Sequence, residues 1–376
     1  MQDTNEVPTT PSQRASGGGL GTGAIIVLVV ALILALGIGI FAGWAVARSG
    51  STSSSTSTGS SSAATEQDTV RINTIQQFQP SVVQINISTA KGAGGLGSGT
   101  IIDSRGYIVT NYHVIAGATG ITVELYDGTI LPAKLTGIDP LDDLAVVQIT
   151  PPPHMAVAKI GDSSKLQVGQ TVIAIGNPLG ITQTVTSGIV SALGRNVPAG
   201  EGSYIFNSIQ MDTAINPGNS GGALVDFNGE LIGVPTLTII SPQFNAPASG
   251  VGFAIPSTRV SFIVPQLIQS GKVTDSGLGD MGIEGSTVTP RIAFLNQFPV
   301  TQGVLIDKVT SGGPADQAGL KVGNIIVQID NVAVTNFTAF NTYVMSKQPG
   351  TQVTVHFYQG NQLRTATVTL GTLQLP

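Results

Sequence analysis

One serine, three histidines and a cluster of aspartates are the residues of this sequence best suited to chemistry. Asn216-Pro-Gly-Asn-Ser220-Gly-Gly222 sets a single hydroxyl among small, turn-forming residues, with the apolar Ala223-Leu224-Val225 directly after it. A serine hydroxyl is a poor nucleophile at its own pKa and needs a neighbouring base. It also needs backbone N–H groups beside it to hold the oxyanion that forms on an attacked carbonyl. Glycines at 218, 221 and 222 let the backbone turn sharply and let a substrate approach. Taken alone, the run fits an ordinary surface β-turn equally well.

The histidines stand at 113, 154 and 356. His113 lies in Ile108-Val-Thr-Asn-Tyr-His113-Val-Ile115, where an apolar strand ends in a polar turn. His154 follows three prolines and reads as a loop residue, and His356 alternates within Val353–Tyr358 as a strand-face residue. Asp139-Pro-Leu-Asp142-Asp143 precedes the apolar Leu144–Ile149. An aspartate at the mouth of such a strand can be buried against an imidazole, orient it and stabilise the imidazolium. Spacing alone leaves all three aspartates open.

These segments resemble the HtrA/Deg family of serine proteases. Thr110-Asn-Tyr-His113-Val is similar to that family's histidine motif, Asp143-Leu-Ala-Val to its aspartate motif and Gly218-Asn-Ser220-Gly-Gly to its nucleophile motif. Further similar runs are Ile175-Gly-Asn-Pro-Leu-Gly180, Thr184–Leu193 and Val251–Pro256. The resemblance selects Asp143 over its neighbours and implies a His113, Asp143, Ser220 triad in the chymotrypsin-type order. It implies an oxyanion turn at Gly218, Asn219 and Ser220, and a hydroxyl at Thr236 that supports the aspartate. It also places the substrate pocket at Ala214, Ile215, Thr236, Leu237 and Thr238. No carboxylate stands at Ala214 to pair with a basic side chain, so small or medium apolar residues are expected before the scissile bond. Pro235 is out of place on a strand, because it lacks a ladder donor. Asn219 replaces the aspartate with which zymogen-activated relatives capture a freed N-terminus. No metal or cofactor is expected.

Composition fits this reading. The 376 residues accommodate two or three domains, and 48 glycines with 21 prolines favour short strands joined by tight turns. Only 10% of residues are charged, against about 25% in an average domain. With a net charge of −5 the chain offers no basic surface for nucleic acid. The absence of cysteine excludes disulfides and leaves the compartment open.

Five regions are expected. Residues 1–23 form a polar tail. Residues 24–47 are charge-free and apolar, about 36 Å long as a helix, which exceeds a hydrocarbon core of about 30 Å. A signal peptide ending near Ala45-Val-Ala47 is the alternative, but its apolar stretch would be only about 7–15 residues. The expectation is therefore a single-pass anchor. Arg14 and Arg48 on its two sides leave the orientation open by charge. The family resemblance implies that the remaining chain lies on the extracytoplasmic side. Residues 48–68 are rich in Ser, Thr and Gly and read as a flexible linker. Residues 69–272 read as a chymotrypsin-like double β-barrel closed by a helix at Ser257–Gln269, with Ser257 or Thr258 as its cap. Gly92-Ala-Gly94-Gly-Leu-Gly97 matches a dinucleotide fingerprint only formally, since a strand follows it and not a helix. Residues 276–374 resemble a PDZ domain, with Thr338–Lys347 as groove helix and a closing hairpin at Gln359-Gly-Asn361. That resemblance implies capture of C-terminal peptides at Met281, Gly282, Ile283 and Glu284 by strand addition.

The fold expected is thus mostly β. The function expected is a membrane-anchored serine endopeptidase acting on unfolded or misfolded proteins and controlled through the PDZ domain. Loops 195–203 and 241–250 are the candidate switching elements, and the family implies a homotrimer. The alternative from another class is a tethered peptide-binding or holdase scaffold with weak proteolysis.

Overall fold

The computed structural model describes residues 58–375, apart from 91, 93, 178–182, 201–202, 216–217 and 242–245. The expected tail, the apolar run 24–47 and the first ten residues of the expected linker lie outside the described residues. Among the described residues no helix is long and apolar enough to cross a membrane.

Helix α1 (Thr58–Phe78) begins inside the stretch expected to be an unstructured linker. From Gln67 onward it belongs to the compact body. Its end is tied down: Thr74 Oγ1 donates to the Phe227 carbonyl at 3.2 Å and Phe78 is buried beside Val82, Ile173 and Val225.

The first barrel is closed in the order β1-β2-β3-β6-β5-β4. Its strands are β1 (Val82–Thr89), β2 (Gly94–Ile101), β3 (Tyr107–Asn111), β4 (Ala118–Glu124), β5 (Ile130–Asp139) and β6 (Leu144–Ile149). β2 starts inside the glycine-rich run, which accordingly makes strand and no phosphate cradle. β-branched residues dominate the interior, with Val83, Ile85, Ile108, Val123 and Val147 fully buried. A one-turn helix, α2 (Tyr112–Ile115), follows β3 and carries His113.

The second sheet runs β11-β8-β9-β10-β13-β12-β7, and β11 also pairs with β12, which returns the sheet on itself. Its strands are β7 (Lys159–Ile160), β8 (Thr171–Gly176), β9 (Thr184–Gly200), β10 (Ser203–Met211), β11 (Ala223–Val225), β12 (Glu230–Ser241) and β13 (Ala246–Pro256). The segments 195–203 and 241–250, expected as loops, are mainly the ends of two long hairpins, β9–β10 and β12–β13.

Helix α3 (Ser257–Ser270) buries Val260, Ile263, Val264 and Leu267, the i, i+3, i+4, i+7 stripe of an amphipathic helix. These side chains meet Val109, Leu144 and Val146 of the first barrel and Ile205, Val234, Phe253 and Ile255 of the second sheet. One apolar cluster therefore clamps the two halves whose junction holds the serine, histidine and aspartate. The expected cap is corrected: Pro256 is the N-cap residue, and Ser257 Oγ instead donates to the Gly161 carbonyl and accepts the Ser163 N–H. Gly271 ends the helix in the left-handed conformation and donates to the Leu267 carbonyl.

The last unit contains β14 (Gly279–Asp280), β15 (Ile283–Val288), α4 (Pro290–Asn296), β16 (Gly303–Val309), α5 (Pro314–Gln317), β17 (Ile325–Ile329), β18 (Val332–Ala333), α6 (Phe337–Met345), β19 (Gln352–Gln359), β20 (Gln362–Thr369) and β21 (Gly371–Thr372). The main sheet is β15-β16-β17-β19-β20, which leaves β15 as an edge strand. Asn336 caps α6 by accepting the Ala339 N–H, so the groove helix starts one residue earlier than expected.

Candidate active site

Asp143 heads β6 with φ at +55°, a backbone conformation that a non-glycine residue holds only where surrounding contacts enforce it. The contacts are present. Its carbonyl accepts Tyr112 N–H and Asn111 Nδ2, both at 3.0 Å. Its Oδ1 accepts the His113 backbone N–H at 2.9 Å, and its Oδ2 meets His113 Nδ1 at 2.8 Å. Thr236 Oγ1 donates to the same Oδ2 at 2.5 Å. The carboxylate is nearly buried while the imidazole is half exposed, 6% against 50%. One end of the ring is thus held by Asp143 and the other is left to the cleft.

Thr236 reaches Asp143 because β12 bulges there. Pro235 pairs with Ala254 and Leu237 with Phe253, so Thr236 is the extra residue. A bulge re-aims a side chain, and a proline without a donor is tolerated at such a break in the ladder. The Pro235 carbonyl still works, accepting the Gly221 N–H at 3.0 Å. Thr236, expected as both pocket and supporting residue, has its hydroxyl committed to the aspartate.

Ser220 sits in the turn after the second of two undescribed residues, 216 and 217. Gly218 has φ at +100° and Gly221 at +81°. A Cβ at Gly221 would stand 2.3 Å from the Ser98 carbonyl and 2.4 Å from Thr110 Oγ1, so the nucleophile turn presses onto the first barrel. Ser220 Oγ donates to the Thr236 carbonyl at 3.4 Å and makes no hydrogen bond to His113. Catalytic hydrogen bonds are often loose in substrate-free enzymes and tighten in the complex.

Ser98 is a residue the motif reading passed over. Its N–H donates to the Ser220 carbonyl at 3.0 Å. Its Oγ accepts the Asn177 N–H at 2.7 Å and donates to the Gly218 carbonyl. One hydroxyl therefore ties β2, the Asn177 segment and the oxyanion turn together. The sequence signal was present, a lone polar residue in Gly97-Ser-Gly99, but the contact is made to residues far along the chain.

Of the expected pocket, Ala214 is exposed and its carbonyl accepts Thr186 Oγ1 at 3.1 Å and Asn219 Nδ2 at 3.5 Å. Ile215 packs beside the second-sheet core. Leu237 and Thr238 lie on β12 opposite Phe253 and Gly252. Asn219 is fully buried, so the residue before the serine turns inward.

The other two aspartates of the 139–143 run serve the framework. Asp142 is held by Arg259 of α3 through Nε at 2.8 Å and Nη2 at 2.5 Å. Arg259 Nη1 also donates to the Ser276 carbonyl at 2.7 Å, and Ser276 Oγ donates to the Leu373 carbonyl. Asp139 accepts the Leu141 and Asp142 N–H groups, and burial, reinforced by the negative charge of Asp142, pushes its carboxyl up to about 8. Of the remaining histidines, His154 lies in a turn and His356 on β19 near Thr365.

A closed barrel and a second β-sheet with His113 and Asp143 from one and Ser220 from the other define the chymotrypsin-type class of serine peptidase, here followed by a PDZ-like sheet. The family models agree: a trypsin-like peptidase domain matches residues 97–234 and a PDZ domain residues 279–370. Among curated relatives, a probable periplasmic serine protease do/HhoA-like of Haemophilus influenzae is 44% identical over 264 residues, covering 70% of this chain and 55% of the relative. The periplasmic pH-dependent serine endoprotease DegQ of Escherichia coli is 41% identical over 279 residues, covering 74% and 60%. The chain spans a little over half the length of these relatives. Among solved structures, the HtrA-type protease AlgW with decapeptide is 32% identical, with a TM-score of 0.59 over 81% of this chain and 99% of that one. The serine endoprotease from Yersinia pestis is 35% identical, with a TM-score of 0.56 over 81% and 98%. The chain belongs to the HtrA family of trypsin-like serine proteases.

Proposed function

We propose that the chain is a serine endopeptidase that cleaves unfolded or misfolded proteins outside the cytoplasm. The observation that carries the reading is the saturated Asp143 carboxylate, which takes the His113 backbone N–H, the His113 ring and the Thr236 hydroxyl together. An imidazole fixed in this way presents its Nε2 as general base. Ser220 Oγ attacks the substrate carbonyl and its proton passes to His113. The oxyanion is held by the N–H groups of the Gly218–Ser220 turn. His113 then returns the proton to the leaving amine, and water repeats the sequence on the acyl-enzyme.

Between Val234 and Thr238 the ladder partner of β12 is β13, which leaves the opposite edge for a substrate strand. Ala214 and Ile215 favour cleavage after Val, Ala or Ile. Relatives named as periplasmic support an extracytoplasmic site of action, with the run 24–47 as the anchor. A trimer follows the family resemblance. Control runs through the PDZ groove, and the Asp142–Arg259–Ser276 link supports a mechanical path from that unit to the loop of Asp143.

The test is labelling of the chain from residue 66 onward by a serine-directed fluorophosphonate, with Ser220→Ala as control. Labelling confined to Ser220, with casein cleavage lost in the variant, is expected. Absence of labelling, with the chain folded, would overturn the peptidase reading in favour of a scaffold.

A further inference from the structure

We propose that Ser98 is a positioning residue for the reaction at Ser220: its hydroxyl fixes the Gly218 end of the oxyanion turn and thereby sets the rate of turnover. The inference rests on the peptidase reading of Ser220 and deepens it. Ser98 is fully buried in β2, 120 positions before Gly218. A Cβ at Gly97 would stand 2.4 Å from Val114 Cγ1, and one at Gly99 would stand 2.6 Å from Ile108 Cγ2. Successive residues of a strand point to opposite faces, so Gly97 and Gly99 face the first-barrel interior and Ser98 faces the turn. Thr110 Oγ1 secures the serine from its own barrel by donating to the Ser98 carbonyl at 2.7 Å.

Three successive carbonyls of the turn are engaged. That of Gly218 accepts Ser98 Oγ, that of Asn219 accepts the Gly222 N–H at 3.1 Å and that of Ser220 accepts the Ser98 N–H at 3.0 Å. Ser98 therefore holds two of the three. Its hydroxyl has one proton to give, and the Asn177 N–H donates to its oxygen at 2.7 Å, which leaves that proton aimed at Gly218. Gly218 has φ at +100° and no Cβ, so its backbone has the widest choice of conformations in the turn. Without the hydroxyl, the Gly218 carbonyl and the Asn177 N–H both lose their partner, while the Ser220 carbonyl keeps the Ser98 N–H. The donors for the oxyanion are then no longer fixed in advance at the Gly218 end, and preorganised donors are what stabilise a tetrahedral intermediate. None of these bonds involves His113 or Asp143.

The experiment compares the full chain with Ser98→Ala and Ser98→Cys, the second keeping the volume of the side chain while offering only a weak S–H donor. Fluorophosphonate labelling run to completion counts the Ser220 sites, which removes any loss of folded protein from the comparison. With an apolar peptide amide as substrate, kcat per site is expected to fall about 10- to 100-fold in both variants with KM unchanged. That is less than the roughly 10²- to 10³-fold loss of a whole oxyanion donor. A peptide boronate forms a tetrahedral adduct on Ser220 that places an oxygen in the turn, and its affinity is expected to fall by about the same factor. The acid limb of the pH–rate profile, which reports the general base, is expected to coincide in parent and variants. Parent-like kcat in Ser98→Cys, a loss carried by KM alone, boronate affinity left intact or a displaced acid limb would each overturn the proposal while leaving the peptidase reading standing. A parent chain with neither labelling nor turnover overturns the peptidase reading beneath it.

Discussion

The catalytic cleft and the PDZ groove both place an aspartate against backbone N–H groups at a turn, and the two carboxylates are handled in opposite ways. Asp143 is nearly buried and accepts from His113 twice and from Thr236. Asp280 is half-buried and accepts the Gly282 N–H two residues on. In the cleft the negative charge is fully engaged, which fits the proposed role of orienting the imidazole and stabilising its charged form. In the last unit the carboxylate accepts one local backbone N–H and is half-buried, so its charge is not taken up by a cation or a second donor as that of Asp142 or Asp143 is. A third case lies beside the first: Asp142 is buried but neutralised by bidentate Arg259. Environment rather than residue type decides which role an aspartate takes.

Asp143→Asn gives the largest effect expected from this comparison. The amide retains the shape but no longer holds the productive imidazole tautomer, and kcat on an unfolded substrate is expected to fall about 10⁴-fold. Steady-state kinetics on casein check it, and a loss under tenfold breaks the contrast between the two sites. Next is Arg259→Met, which leaves Asp142 buried without its cation. The variant is expected to lose about 3–5 kcal/mol in urea unfolding, and Arg259→Met with Asp142→Leu to recover most of it. A single variant as stable as the parent would show that the pair contributes nothing.

Thr236→Val removes one donor from Asp143. A hydrogen bond to a charged group contributes about 1.5–3 kcal/mol, so kcat is expected to fall about 10- to 100-fold. KM should stay unchanged, and Thr236→Ser should restore most of the rate. Equal losses in the serine and valine variants would assign Thr236 to packing. The smallest effect concerns Asp139. Its carboxyl is raised to about 8 in the folded chain by burial and by Asp142, whereas an unfolded aspartate titrates near about 3.9. The contribution is therefore fully present below that lower value and is lost as pH rises through about 8. Asp139→Asn is expected to flatten this decline, read as the difference in urea midpoint between pH 5 and pH 8. An unchanged slope sinks the assignment to Asp139.

Much of the site was legible because the motifs are local. A serine between glycines, a histidine after an apolar strand and an aspartate before another each carry their own turn chemistry. The helix expected at Ser257–Gln269 stands at Ser257–Ser270, although its N-cap is Pro256 and not the expected Ser257 or Thr258. Asp139, Asp142 and Asp143 could not be told apart by spacing. Their roles depend on Arg259, more than a hundred residues away, and on the strained backbone that swings only Asp143 toward His113. The ends of the two long hairpins, at 195–203 and 241–250, read as loops in the sequence because Gly, Asn and Pro are frequent there. Strand pairing there is imposed by neighbours rather than by propensity.

The sequence by itself determined the β-rich character, the order of the reactive residues and the family, since these rest on composition, periodicity and short-range motifs. Tertiary structure alone decided that Pro235 permits a bulge aiming Thr236 at Asp143, and that Ser98 pins the oxyanion turn from another strand. It also decided that Arg259 joins the aspartate loop to Ser276 and that Asp280 closes on Gly282. The long-range contacts among these join residues up to about a hundred or more positions apart. Even the local one depends on how the turn is held. No window along the chain contains them, because chain folding, not spacing, brings the donor and acceptor within hydrogen-bond reach.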